Sequence, residues 1–215
     1  MKKALVTGAS RGIGRAIAQE LGKDHHVYAG ATRDATEVVD TLPSAEPFEV
    51  DLTDTAALQA AAATIEELDV LVLAAGVLHK GPFEEISDEQ WRETLELNVL
   101  APVTLTRELL PALRRSSGLI VTINSGAGFH GVEENTAYCA SKFALRGFTE
   151  SLQLEEAGRV RVTSIHPGRT DTDMLAGDDG RPKMDPVQVA KAVRLAVDAG
   201  PDAVVEFLRV RPARV

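Results

Sequence analysis

Tyr138 and Lys142 stand four residues apart in the run Tyr138-Cys139-Ala140-Ser141-Lys142, and Ser125 lies 13 residues before the tyrosine. A phenol, an ammonium and a hydroxyl are the parts needed to pass a proton to a carbonyl oxygen. On a helix, residues four apart share one face, a turn from each other. A free phenol titrates at about pH 10 and is a poor acid or base at neutrality. A lysine ammonium held beside it favours the phenolate and is expected to draw the phenol toward the working range. Tyr-x-x-x-Lys alone is a weak signal, because any long helix can carry an exposed aromatic beside a solvated lysine. Its meaning rests on the surrounding chain.

Near the start, Thr7-Gly8-Ala9-Ser10-Arg11-Gly12-Ile13-Gly14 follows the apolar run Ala4 to Val6 and opens an amphipathic stretch, Gly12 to Leu21. A glycine-rich turn between a strand and a helix is where a dinucleotide pyrophosphate rests. The glycines let the backbone approach, and the helix N-terminus offers free N–H groups and a positive dipole end. The spacing here is G-x-x-x-G-x-G rather than G-x-G-x-x-G. The second apolar run leads into Gly30-Ala31-Thr32-Arg33, with no carboxylate until Asp34. An acid at that point would bind the ribose 2′-hydroxyl, whereas an arginine suits a 2′-phosphate. Arg33, with Arg11 inside the glycine loop, therefore predicts NADP(H) in preference to NAD(H).

Two sets of elements must position these groups. Ala4 to Val6, Val27 to Ala29, Phe48 to Val50, Val70 to Ala74, Leu119 to Ile123, Val160 to Ile165 and Ala203 to Phe207 read as strands. Gly12 to Leu21, Thr55 to Leu68, Gln90 to Leu113, Ala137 to Glu156 and Pro186 to Ala199 read as helices, and Ser87-Asp88-Glu89-Gln90 is a capping box ahead of the third. The alternation predicts a single α/β domain over 1–215, Rossmann-like, with a doubly wound, mostly parallel sheet between two helical layers. At 215 residues the chain is long enough for one well-buried domain. A net charge of −9 with no basic stripe argues against nucleic acid. The one cysteine, Cys139, excludes an internal disulfide and a multi-cysteine metal site, and reads as a packing residue. The apolar run after Met1-Lys2-Lys3 breaks at Thr7-Gly8, too short for a membrane span or secretory core, so a cytoplasmic protein is expected.

With these parts in order, the chain resembles the short-chain dehydrogenase/reductase family over nearly its whole length. The resemblance is carried by Thr7-Gly8-x-x-x-Gly12-x-Gly14, Asp51-Leu52, Ala74-Ala75-Gly76, Asn98, Ser125, Tyr138-x-x-x-Lys142 and Pro167-Gly168 followed by Thr172. It implies an oxidoreductase acting on a carbonyl or alcohol of a small organic molecule. Tyr138 would be the general acid or base, Lys142 would tune it and hold the nicotinamide ribose, and Ser125 would orient the carbonyl oxygen. Asn98 would anchor a water leading to solvent. Gly8, Ser10, Arg11, Gly12, Ile13 and Gly14 would cradle the pyrophosphate, and Asp51, Leu52 and Ala74 to Gly76 would line the adenosine side. Pro167, Gly168 and Thr172 would hold the carboxamide. The resemblance also implies a homodimer or homotetramer joined through the helices at Gln90 to Leu113 and Ala137 to Glu156.

Two departures stand out. The family commonly has asparagine before the Ala-Gly after the fourth strand, where this chain has Leu73-Ala74-Ala75-Gly76, so a brace of the central sheet is missing. The segment from Met174 to Asp185 is a short substrate loop, which predicts an open cleft. His79, Phe129, His130, Glu133, Glu134 and Met174 are expected near the carbonyl; without helical or hairpin spacing the histidines and carboxylates do not read as a metal site. His166 reads as structural. A dinucleotide sensor without turnover is the alternative from another class, and a redox isomerase or epimerase a third reading.

Overall fold

Alternation of side chains along short Val/Leu/Ile runs sorts this chain into two cores, one on each face of a sheet. The computed structural model describes residues 1–177, 180–200 and 202–213. Its strands are β1 (Lys2–Val6), β2 (His25–Ala31), β3 (Ala45–Glu49), β4 (Val70–Leu73), β5 (Leu119–Ile123), β6 (Arg161–Pro167) and β7 (Phe207–Val210). They pair in the order β3-β2-β1-β4-β5-β6-β7, every neighbouring pair parallel. Ala4, Val6, Val70, Val72 and Val121 face one core with Ile17, Leu21, Val189 and Val193. Leu5, Leu71, Leu73 and Ile120 face the other with Leu58, Leu105, Leu109 and Leu113. Successive strand residues point to opposite faces, so helices on both sides are needed to cover such runs.

Those helices are α1 (Gly12–Leu21), a short α2 (Thr36–Val39), α3 (Thr55–Ala62), α4 (Asp88–Leu95), α5 (Ala101–Ser116), α6 (Thr136–Glu155) and α7 (Pro186–Asp198). The fold is the single three-layer Rossmann-like domain expected. After β3 the chain returns to the other side of β1, so the strand order reverses between β1 and β4. A crevice at the carboxyl ends of the strands opens at that reversal, the usual ligand position in such sheets.

Several elements differ from expectation: β3 spans Ala45–Glu49 rather than Phe48 to Val50, α2 is not among the expected helices, and three more elements are shortened, divided or shifted. The helix predicted from Thr55 to Leu68 ends at Ala62. There the Thr64 hydroxyl takes the Ala61 carbonyl at 2.8 Å, a local bond that competes with the helical ladder. The helix predicted from Gln90 to Leu113 is α4 and α5 joined by a π-helical turn at Glu96–Leu100, with Pro102 in the first turn of α5. The last strand is Phe207–Val210, downstream of the Ala203 to Phe207 expected. Its register is set by the free edge of β6, where Ser164 N–H donates to the Glu206 carbonyl at 2.9 Å and Gly168 N–H to that of Val210 at 2.6 Å. The capping box forms as predicted, with Ser87 and Gln90 satisfying each other's main-chain N–H groups.

α6 carries one removable weakness. A methyl group added at Gly147 meets nothing within 4 Å. Gly147→Ala is expected to raise stability by about 0.5–1 kcal/mol by removing backbone freedom from the unfolded chain. Urea denaturation measures this; a destabilised variant would show that this face is tightly covered in solution.

Candidate active site

The crevice begins in the turn between β1 and α1. Gly8 (φ 66°) and Gly12 (φ 55°) are left-handed, a conformation glycine adopts without penalty. A Cβ on Gly14 would lie 2.1 Å from the Gly8 carbonyl oxygen, and one on Gly30 2.7 Å from that of Val6. The N-cap of α1, Arg11, makes no side-chain capping bond, so the first N–H groups of that helix are left for an anion. A cleft of about 370 Å³ extends from this turn. Of the residues expected to hold the dinucleotide, Gly8, Ser10, Arg11, Gly12, Ile13 and Gly14 line it, as do Leu52, Ala74, Ala75, Gly76 and Thr172. An uncapped helix start over a cradle that a Cβ would fill fits a pyrophosphate.

Two expected residues stand back from the cleft wall. Thr32 lines it at the end of β2, whereas Arg33 does not. Arg33 sits close enough to Asp51 to act on its charge, although bonds from Thr53 do most to hold that carboxyl below the usual range. Those bonds are to the Thr53 hydroxyl (2.7 Å) and N–H (2.9 Å). Asp51 thus builds the turn, and its neighbour Leu52 faces the cleft. Arg11 pairs with Asp173 at 3.6 Å, both largely exposed.

A second cavity of about 470 Å³ adjoins the first, and Ser125, Tyr138, Lys142, Pro167, Gly168 and Thr172 all line it. Ser125 leaves β5 in extended conformation, and its hydroxyl lies near enough to the Tyr138 phenol to act on its titration. Tyr138 and Lys142 project from the same face of α6. The Lys142 ammonium is buried, donates to the Ile123 carbonyl at 3.0 Å and lies 5.5 Å from the centre of the Tyr138 ring. Burial lowers Lys142 to about 8. Burial also pushes the Tyr138 phenol above its ordinary value, with the Ser125 hydroxyl pulling the other way. The lowering by lysine expected from the spacing is therefore not what governs the phenol here; desolvation is.

Asn98 is buried behind these groups, outside both cavities. Its amide is fully engaged: Oδ1 accepts from Val77 N–H at 2.9 Å, and Nδ2 donates to the Val77 carbonyl and the Ser141 hydroxyl, each at 3.0 Å. Pro102 has no N–H, so the helical donor four residues beyond the Asn98 carbonyl is missing. The π turn and the proline thus interrupt the regular helical ladder at Asn98; such turns recur at functional sites. The missing brace near Ala74 is supplied by Thr7, whose hydroxyl accepts from the N–H groups of Ala74 (2.9 Å) and Ala75 (3.1 Å).

The substrate end is where sequence reasoning reached least. Met174 lines both cavities. His79 instead pairs with Glu93 at 2.8 Å, and Phe129 stacks on His166. His130, Glu133 and Glu134 are not in the wall, which draws on Lys80, Val132, Asn135, Arg169, Leu175 and Arg181. Residues 178 and 179 of the short loop, and 214 and 215 of the tail, lie outside the described residues. Asn124 was also unanticipated: its amide joins Ser125 N–H (2.8 Å) to the Lys142 carbonyl (3.2 Å), tying β5 to α6. Its position directly before Ser125 was the available signal. Among the described residues, no group of three or more His, Cys, Asp or Glu could hold a metal, and no helix is long and apolar enough to cross a membrane.

Comparison with known proteins agrees with this geometry. The family model described as short chain dehydrogenase matches residues 2–181. An uncharacterized oxidoreductase of Staphylococcus saprophyticus is 31% identical over 98% of this chain and 97% of its own length. An alcohol dehydrogenase from the archaeon Thermococcus sibiricus, solved with 5-hydroxy-NADP, superposes with a TM-score of 0.90 at 27% identity, covering 100% of this chain and 98% of that one. A metagenomic short-chain oxidoreductase solved with NADP gives a TM-score of 0.85 at 33% identity, covering 99% and 97%. With the glycine turn, the Ser125, Tyr138 and Lys142 cluster and the family match in agreement, this chain belongs to the short-chain dehydrogenase family of oxidoreductases.

Proposed function

We propose that the protein is an NADP(H)-dependent carbonyl reductase or alcohol dehydrogenase for a small organic substrate. The observation that carries this reading is the junction of the two cavities. Ile13, Ala74, Gly76, Leu78, Thr172 and Met174 belong to both walls, so a dinucleotide along the first cleft reaches the Ser125, Tyr138 and Lys142 face of the second. The bound dinucleotide supplies or accepts the hydride. Ser125 orients the substrate oxygen, and Tyr138 delivers a proton to it or removes one from it. Lys142 stabilises the phenolate left behind, and the Asn98 carbonyl holds a water that resupplies the proton. The loop around Met174 to Gly177 forms one side of the substrate space.

NADP(H) is favoured by Arg11 on the cleft wall, by Arg33 next to Thr32 at the end of β2, and by NADP ligands in similar structures. Exposed apolar side chains at Leu95 of α4, Leu100 of the π turn, and Phe143 and Leu154 of α6 support a homodimer or homotetramer. A cytoplasmic location is part of the same reading. Fluorescence titration with NADPH and with NADH tests the cofactor assignment. NADPH is expected to bind tighter, and Arg33→Asp to shift the preference toward NADH. Tighter NADH binding by the unmodified protein would overturn the arginine assignment while leaving the reductase reading intact.

A pH dependence follows from Lys142. With its pKa held at about 8, the ammonium is intact below that pH and lost above it. The reductive kcat/KM, which reports groups of the free enzyme, is expected to fall from about pH 8 upward. Lys142→Arg keeps its charge at high pH and should remove that limb even where its overall rate is lower. A limb unchanged in Lys142→Arg would assign it to another group.

A further inference from the structure

His166 is 1% exposed and has no part in the proton transfer outlined above. Its ring lies between Phe129 and Phe207, each 4.6 Å away between centroids. Both ring nitrogens have partners: Nδ1 is 3.1 Å from the Ser125 main-chain carbonyl and Nε2 is 2.7 Å from the Ser164 hydroxyl. A carbonyl can only accept, so Nδ1 carries the hydrogen and Nε2 accepts from Ser164. From Ser164 the contacts continue through Thr122 (3.4 Å) to Thr149 (3.1 Å), all buried. Thr149 belongs to α6, the helix that carries Tyr138 and Lys142.

We propose that neutral His166 is a positioning residue for proton transfer, its Nδ1–H holding the Ser125 backbone so that the Ser125 hydroxyl meets the Tyr138 phenol. This rests on the reading of Tyr138 as the acid or base. Ser125 occupies a turn in which every other restraint is also a hydrogen bond: its N–H goes to Asn124 Oδ1 and its hydroxyl accepts from Ala127 N–H. The carbonyl is the remaining main-chain group; it accepts from Gly128 N–H at 3.1 Å within the turn, and His166 reaches it from β6, one strand away, as its one partner from outside the turn among the described residues. Burial keeps the imidazole neutral, at about 4, against the opposing pull of the Ser125 carbonyl, and Arg146 of α6, Lys142 of α6 and Arg209 of β7 act in the same direction as burial. Across the neutral range the ring therefore donates at one nitrogen and accepts at the other without interruption.

The test separates this role from general packing. The chain has two tyrosines, so in a Tyr28→Phe background Tyr138 is the only one. Its ζ-carbon resonance, in protein labelled with 13C-tyrosine, then reads the influence of the Ser125 hydroxyl on the phenol with neither cofactor nor substrate present. Ser125→Ala marks the position of that resonance when the hydroxyl is removed. His166→Phe keeps the ring stack but has no donor, and His166→Gln reaches only the Ser164 side. Both are expected to move the resonance toward the Ser125→Ala position and to lower kcat roughly 10- to 100-fold with the KM for NADPH unchanged. His166→Asn places a donor at the Nδ1 position and is expected to hold the resonance and recover the greater part of kcat. A folded His166→Phe with the wild-type resonance, or equal losses in His166→Asn and His166→Gln, would overturn the proposal. If His166→Phe does not fold, the Asn and Gln variants carry the comparison. Absence of turnover in the unmodified protein would count against the reductase reading, and the resonance would still decide the role of His166.

Discussion

Tyr138→Phe is expected to lower turnover by roughly 10²- to 10⁴-fold, the usual contribution of a positioned proton donor, while dinucleotide affinity stays close to wild type. The substitution removes one oxygen and preserves the ring. Around it, the Ser125 hydroxyl retains the Ala127 N–H at 3.2 Å, and the Tyr138 carbonyl retains the Ser141 hydroxyl at 2.7 Å. The glycine turn belongs to a different pair of elements and is untouched. The phenol is held above its ordinary pKa by burial, so it carries its proton at neutral pH, as reduction of a carbonyl requires. Single-turnover kinetics with NADPH, alongside fluorescence titration, checks both halves of the expectation. A variant that keeps its rate would place the proton donor elsewhere. A wild-type protein that binds NADPH but turns over no carbonyl or alcohol would favour a sensor.

Gly14→Ala is expected to damage binding and stability together. The new Cβ would lie 2.1 Å from the Gly8 carbonyl oxygen and 2.6 Å from its carbon, both main-chain atoms. No side-chain rotation relieves such a contact, so either the turn or α1 must move. α1 is anchored by Ile17 and Leu21 in the core shared with α7, which leaves the turn to yield. Overpacking of this kind costs about 1–3 kcal/mol or more. Displacement of Gly8 would also disturb the surface on which the pyrophosphate rests. Denaturant unfolding and NADPH titration report the two effects separately. Wild-type values in both would mean that the turn is looser than these distances require.

Much of the fold is legible because its signals are local. Alternating Val and Leu in Val70 to Leu73 or Leu119 to Ile123 can only be buried between two helical layers. A glycine turn between strand and helix specifies its own backbone. The four-residue spacing of Tyr138 and Lys142 sets their common face once a helix forms. Element ends are less legible. The joint between α4 and α5 depends on a π turn beside Pro102, and β7 takes its register from the open edge of β6 rather than from its own apolar residues.

What the sequence by itself determined is the Rossmann-like layering, the dinucleotide turn and the identity of the Ser125, Tyr138 and Lys142 cluster. Tertiary structure alone decided the state of those groups. Tyr138 is raised rather than lowered because burial, a property of all the segments packed around it, outweighs the pull of the Ser125 hydroxyl. Asn98 engages Val77 and Ser141, 21 and 43 residues away, and Thr7 supplies the brace that an asparagine near Ala74 would have given. His166 meets Ser125 across 41 residues. Helical and strand periodicity act over a few residues, whereas desolvation and hydrogen-bond partnership depend on which distant surfaces come together.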